Sequence, residues 1–262
     1  MAKKHLGQNF LFDPSILRRL VEISNITASD TVVEIGPGHG SLTAILSGIA
    51  KKVIAIELDN DLFPKLQDRF GGSGNVVLVQ GDALTYPYET LEPFKVVANI
   101  PYYITTPIIF RLMEAGKRLK SMTLTIQKEV AQRIIAGPNT KAYGVLSISV
   151  QYAAAAEMGF IIPRGAFKPV PKVDSAVVHL TMRNRPKVAV KDEKLFFTVV
   201  RAAFSQRRKT LSNALKQLSP DIREKLIDAG IDPRRRGETL TIEEFAGLAD
   251  ILSSKQSVVA TF

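Results

Sequence analysis

Between Asp30 and Leu124, short β-branched runs alternate with amphipathic stretches, and that alternation limits the fold more than any other feature of the chain. "TVVEIGPGHG" reads as a strand running into a glycine turn, and "SLTAILSGIA" as the helix that follows. "KKVIAIELD" and "NDLFPKLQDRF" repeat the unit, with Pro64 early enough in its helix to be tolerated. "NVVLVQGDAL" and "FKVVANIPYY" supply a third and a fourth strand, "PIIFRLMEAG" a helix and "SMTLTIQ" a fifth strand. Strands alternating with helices pair in parallel and are covered on both faces, so the expected class is α/β with a mostly parallel sheet. "VLSISVQYAAAAEMGFIIP" admits a helix, a strand or both, and "AVVHLTMR" reads as a last strand.

The texture changes after "NRPKVAVKDEK". "LFFTVVRAAF", "RKTLSNALKQL", "DIREKLIDAG" and "TIEEFAGLADIL" all carry helical spacing, so a small all-helical domain is expected to close the chain. The boundary falls between Arg185 and Lys191, giving domains 1–187 and 188–262. With 262 residues, 45% of them hydrophobic, the chain can build one large core and a small second one. There is no cysteine, which rules out disulfides and thiolate metal sites, and His5, His39 and His179 are isolated from one another, which disfavours zinc. The apolar runs are far short of the roughly 20 residues of a membrane span. The opening "MAKKHLGQNFLFDP" is cut off at Asp13-Pro14 and does not read as a secretion signal, so a cytoplasmic protein with no membrane partner is expected. Nothing in the chain demands an obligate interface, and a monomer is the expectation. Lys and Arg total 35 against 25 Asp and Glu, and a net charge of +10 favours a polyanionic partner.

The glycine turn narrows the ligand. Gly36, Gly38 and Gly40 stand between a strand and a helix, where the chain must turn tightly and the helix N-terminus offers free amides. A dinucleotide fingerprint would need its third glycine at position 41, which is Ser41. The G-x-G-x-G spacing resembles the loop of S-adenosylmethionine-dependent methyltransferases instead. Glu57 ends the next strand, about twenty residues on, where a carboxylate can accept from ribose hydroxyls. Asp82 ends the strand after that and can accept from the exocyclic amine of an adenine. Three polar strand ends on one sheet edge point to an adenosine-containing cofactor.

"VVANIPYY" then breaks the fourth strand at a proline, which leaves Asn99 and Tyr102 on the same edge. The exocyclic nitrogen of adenine is a poor nucleophile because its lone pair is delocalised into the ring. The Asn99 side-chain oxygen and the carbonyl of Ile100 or Pro101 can accept its two N–H bonds, which stabilises the charge that develops on alkylation. Tyr102 offers a face for the base to stack on. No general base with a tuned pKa is required.

The chain resembles the rRNA adenine N6,N6-dimethyltransferase family over almost its whole length, through "GQNFLFD", "VVEIGPGHGSLT", "AIELD", "GDAL", "NIPYYITTPI", "GAFKPVPKVDSAVV" and "FSQRRKTLSNAL". The resemblance implies a Rossmann-like methyltransferase domain followed by a helical C-terminal domain. It implies S-adenosylmethionine as methyl donor, with dimethylation of two adjacent adenosines near the 3′ end of small-subunit (16S) rRNA in an assembling 30S particle. Carried over by position, the cofactor site takes Asn9, Leu11, Gly36, Glu57, Asp82 and Asn99. The target pocket takes Asn99, Pro101 and Tyr102, with Phe167 as a second aromatic face. One departure is Val170, which stands between Pro169 and Pro171 where the family more often has a third proline. The alternatives are a large-subunit rRNA adenine methyltransferase and a non-catalytic assembly factor; "PKVDSAVV" and "RRKTL" favour the small-subunit type.

For the RNA itself, "RAAFSQRRKTLSNALKQL" places Arg201, Arg207, Arg208 and Lys209 on an expected helix whose apolar side carries Phe204, Leu211, Leu215 and Leu218. Arg207, Arg208 and Lys209 are the RNA-binding candidates, with Arg234, Arg235 and Arg236 as a second cluster. "GPNTKAYG" reads as a mobile loop that touches substrate.

Overall fold

A computed structural model of the protein describes residues 8–253; the opening "MAKKHLG", His5 included, lies outside them. The chain divides into two compact units. The first runs through Ala131 and resumes at Ala155–Asn184; the second takes Gln132–Ala154 and the chain from Arg185 onward.

The first unit contains β1 (Phe10–Leu11), α1 (Pro14–Ser24), β2 (Thr31–Ile35), α2 (Ser41–Ser47), β3 (Lys52–Glu57), α3 (Phe63–Phe70), β4 (Val76–Gln80), β5 (Phe94–Asn99), α4 (Thr105–Met113) and β6 (Leu119–Gln127). The helix α5 (Lys128–Ile135) then leads into the second unit, where α6 (Val145–Ala153) lies. The ambiguous stretch thus holds both elements, α6 and then β7 (Ala154–Ile162). The strands β8 (Phe167–Lys168) and β9 (Ser175–Met182) complete the first unit.

Seven strands form one sheet in the order β4-β3-β2-β5-β6-β9-β7. The pairs β3–β4, β2–β3, β2–β5 and β5–β6 are parallel, and β6–β9 is antiparallel. The inner strands are buried almost end to end, as strands covered on both faces must be: Val32, Val33 and Ile35 of β2 and Val96, Val97 and Ala98 of β5 are 0–2% exposed. The chain moves from β2 outward to β3 and β4, then returns to the other side of β2 as β5. That reversal is a topological switch point, and it brings the turn after β2 beside the end of β5. A separate two-stranded ladder pairs β1 with β8, Phe10 opposite Lys168 and Leu11 opposite Phe167.

The second unit adds α7 (Glu193–Ser205), α8 (Leu211–Ala214), α9 (Ile222–Asp228) and α10 (Ile242–Ser253). Asp192 caps α7 by accepting from Leu195 N at 3.0 Å. A reciprocal pair of bonds between Thr241 and Glu244, at 2.8 and 3.2 Å, opens α10 as a capping box. The unit is discontinuous, where a single boundary near residue 187 was expected. Tyr143, Ile148 and Tyr152 share one buried core with Phe196, Val199 and Val200, so Gln132–Ala154 folds with the helices. Local spacing could not show this, because the choice of core is made by long-range packing.

Candidate active site

The sheet edge at the switch point carries an open cleft. Asn9, Gly36, Glu57, Asp82, Asn99, Pro101 and Tyr102 all line it. These are seven of the nine residues proposed for the cofactor and the target base. Each sits at the end of a strand or in the segment that crosses the strand ends, so the sheet fixes their spacing.

Gly36, Gly38 and Gly40 have φ of +64°, +61° and +77°. At Gly38 the requirement is double: a side chain would be strained in that conformation, and its Cβ would lie 2.9 Å from the Phe10 ring. Gly36 N donates to Ile56 O at 2.9 Å, tying the turn to the neighbouring strand. The Glu57 carboxylate accepts from Gly38 N at 3.0 Å and from Asp59 N at 2.8 Å. Burial raises its pKa, while the N–H groups of Asp59 and Gly38 pull the other way. Asp82 is exposed and accepts from Leu84 N at 2.8 Å. An open glycine cradle beside a carboxylate locked by two main-chain donors suits a ribose and its adenine, so the residues present fit an adenosine cofactor.

Asn99 ends β5, and its Nδ2 donates to the main-chain carbonyl of Asn9 at 2.9 Å. Pro101 O accepts from Ile104 N at 3.1 Å within the short turn that follows. Of the two carbonyls considered for the target amine, that of Ile100 is therefore the less engaged. Tyr102 is half-buried, and its hydroxyl lies 2.7 Å from Ser175 Oγ at the start of β9. Burial raises its pKa, with the Ser175 hydroxyl acting in the opposite sense, and the phenol is held neutral as a rigid face.

Two expected residues are not among those that line this cleft, although Leu11 lines a smaller adjoining hollow with Gly36 and Asn99. Phe167 is fully buried, and Leu11 is 5% exposed; both belong to a core cluster with Leu17, Leu20 and Phe160. The reason is the β1–β8 ladder, which sets the two opposite each other over apolar neighbours. Phe167 thus offers no second stacking face here. Tyr103 does line the cleft and is half exposed, and Phe10 and Gln8 line it as well. Phe10 was within reach of sequence reasoning, since it stands inside the quoted "GQNFL". Tyr103 was masked by its neighbour Tyr102.

Glu34 was not anticipated either. It lies on β2 beneath the glycine turn, 2% exposed, and accepts from the Thr43 hydroxyl at 2.6 Å. Burial is the main cause that pushes its pKa from 4.5 up to about 8. Among the described residues no group of three or more His, Asp and Glu is placed to hold a metal ion.

In the second unit the basic candidates are not on a helix. α7 ends at Ser205, and Gln206 to Lys209 form a turn before Thr210 starts α8 in extended conformation. Arg207 is exposed, yet its guanidinium is committed to its own unit: its Nη2 donates to Lys141 O at 2.8 Å and Tyr143 O at 3.1 Å and lies 3.3 Å from Glu238. These bonds also pin "GPNTKAYG", helped by Asn139 N donating to Glu238 O at 2.8 Å. The segment is therefore an anchored loop of the second unit. Arg235 pairs with Glu244, and Arg234 with Asp232. Arg208, Lys209 and Arg236 stay exposed.

Comparison with known proteins meets this geometry. The profile of a family described as ribosomal RNA adenine dimethylase matches residues 1–254. The ribosomal RNA small subunit methyltransferase A of Geobacillus thermodenitrificans is 49% identical over 265 residues, covering 95% of this chain and 90% of that protein. The protein of the same name from Moorella thermoacetica is 48% identical over 267 residues, covering 96% and 93%. Among solved structures, a dimethyladenosine transferase from Plasmodium falciparum matches with a TM-score of 0.77 at 28% identity, over 91% of this chain and 95% of its own. The 23S rRNA methyltransferase ErmE matches with a TM-score of 0.74 at 29% identity, over 94% and 100%.

Proposed function

The chain belongs to the ribosomal RNA adenine dimethylase family, and on that premise we propose that it dimethylates the N6 amines of two adjacent adenosines near the 3′ end of small-subunit rRNA. It is a methyltransferase that uses S-adenosylmethionine, and rRNA is its substrate. The observation that supports the site assignment most is the meeting of Gly36, Glu57, Asp82, Asn99 and Tyr102 on one cleft. The small-subunit target is supported by relatives at 48–49% identity that carry that name.

When bound, S-adenosylmethionine supplies an electrophilic methyl group on a sulfonium. Glu57 would hold the cofactor through its ribose hydroxyls and Asp82 through its adenine amine. Asn99 Oδ1 and the Ile100 carbonyl accept the two N–H bonds of the target amine, and Tyr102 supports the base by stacking. Both acceptors are fixed by the strand end, so they stabilise the positive charge on the attacking nitrogen without reorganising. The alkylated amine is strongly acidic and loses its proton through these acceptors to water, which removes the need for a tuned base.

The second unit is read as the RNA-binding part, with Arg208 and Lys209 facing phosphates and Arg207 holding the turn that presents them. The protein is read as a monomer acting on a small-subunit precursor in the cytoplasm; no helix among the described residues is long and apolar enough to cross a membrane. Labelled S-adenosylmethionine is offered with undermethylated small subunits and, in parallel, with large subunits, and the RNA is digested to nucleosides. Dimethyladenosine from small subunits alone is the expected product. Label in the large subunit would reassign the substrate, and binding with no product would leave an assembly factor.

A further inference from the structure

A carboxamide has two unlike ends, and a half-turn about the Cβ–Cγ bond of Asn99 exchanges them. Only one orientation presents an acceptor to an amine. The partner of Nδ2 is the carbonyl of Asn9, 90 residues away in sequence, at 2.9 Å. A main-chain carbonyl can only accept, so the opposite orientation would set two oxygens against each other. The chain that follows Asn9 is itself held from three sides. Phe10 and Leu11 pair with Lys168 and Phe167. The Phe10 ring rests on Gly38 and meets the His39 ring edge-on, with centroids 4.7 Å apart. Leu11 and Phe167 are sealed into one core cluster.

We propose that the segment Asn9–Leu11 is a positioning element for the reaction: the Asn9 carbonyl locks the Asn99 carboxamide so that Oδ1 faces the target amine. Leu11 and Phe167 are positioning residues that act through this carbonyl from within the core. The inference rests on the reading above, in which Asn99 Oδ1 accepts from the amine. It gives Phe167 a role that its burial permits, and it makes one segment both a wall of the cleft and the clamp on its central acceptor.

Coupling between two groups is reciprocal, so loss of the Asn99 donor must loosen the segment. Hydrogen exchange at the Phe10 and Leu11 amides is measured in the free protein and in Asn99→Ala and Asn99→Asp. The alanine removes the donor, and the aspartate sets a carboxylate against the Asn9 carbonyl. Exchange is expected to rise from wild type to alanine to aspartate. Equal rates in all three would overturn the proposal.

A second arm uses Leu11→Ala, alone and with Asn99→Ala, at saturating cofactor. With Asn99 present, kcat should fall by about tenfold or more while KM for the RNA stays within about twofold. In the Asn99→Ala background the same change should cost little further, because nothing remains to be oriented. Losses that simply multiply would overturn the proposal. Should Leu11→Ala fail to fold, Leu11→Val carries the same comparison. Full activity in Asn99→Ala with the exchange order intact would sink the chemical role of Asn99 and leave the contact standing, so the two failures are distinct.

Discussion

The cleft of the first unit and the arginine-rich turns of the second direct their charged groups in opposite ways. In the cleft, Glu57 is held by main-chain N–H donors and still lines the cavity. In the second unit, Arg235 gives its donors to Glu244 and Thr239, and Arg207 gives its own to two carbonyls and Glu238. A carboxylate fixed by backbone retains lone pairs for a ligand. A guanidinium fixed by side chains and carbonyls has become part of the scaffold. Residue type alone does not make a site; what matters is what the first partner leaves unused.

The comparison is broken most severely at Asn99. Replacing it with alanine removes one of the two acceptors proposed for the target amine, and methyl transfer should fall by about 10²–10³-fold. The loss should persist at saturating cofactor, with the melting temperature near that of wild type. Single-turnover transfer with labelled cofactor, paired with a thermal melt, checks both halves.

The matching change in the second unit is Arg235→Met. Its bonds to Glu244 at 3.1 Å and to Thr239 O at 2.7 Å tie the loop before α10 to the capping box of that helix. Their loss should lower stability by about 2 kcal/mol in urea unfolding. RNA affinity of the molecules that remain folded should be unchanged.

The cleft was legible in the sequence because its residues are local: each lies within a few positions of a strand end, and the sheet supplies the rest of the geometry. Gly36, Glu57, Asp82 and Asn99 could be placed from four short motifs. Phe167 could not, because its burial depends on Leu11 crossing from the other end of the unit to pair with it. The fate of Arg207 was hidden for the same reason, since its acceptors Lys141 and Tyr143 lie more than sixty residues away. The helix expected through Arg207–Lys209 failed because helical spacing records apolar residues, and Leu211, which opens a restarted short helix, and Leu215, which caps its end, both reach the core.

Glu34 sharpens the contrast within the first unit, as a carboxyl of the same sheet that serves the fold. Its pKa rises from 4.5 in an ordinary setting to about 8 when folded. Between those values the native protein holds a proton that the unfolded chain has released. The stabilisation is complete below pH 4.5 and is lost as the pH climbs toward 8, at up to about 1.4 kcal/mol per pH unit. Glu34→Gln should abolish that slope while keeping an acceptor for Thr43. Urea midpoints of both proteins at pH 5, 6, 7 and 8 test it; parallel curves would remove Glu34 from the pH dependence.

The smallest effects, and the finest division, lie between Arg207 and its neighbour. Arg208 has no side-chain partner among the described residues, so Arg208→Met should leave the melting temperature unchanged. If its guanidinium meets a phosphate, the slope of log affinity against log salt falls by about 1 in magnitude. Arg207→Met releases the carbonyls of Lys141 and Tyr143, so it should lower stability by about 1–2 kcal/mol and leave the salt slope in place. Binding to small subunits measured from low to moderate salt separates the two. A reversed outcome, with Arg207 setting the slope and Arg208 the stability, would mean that these contacts exchange when RNA arrives, and that a guanidinium built into the scaffold of the free protein becomes a ligand in the complex.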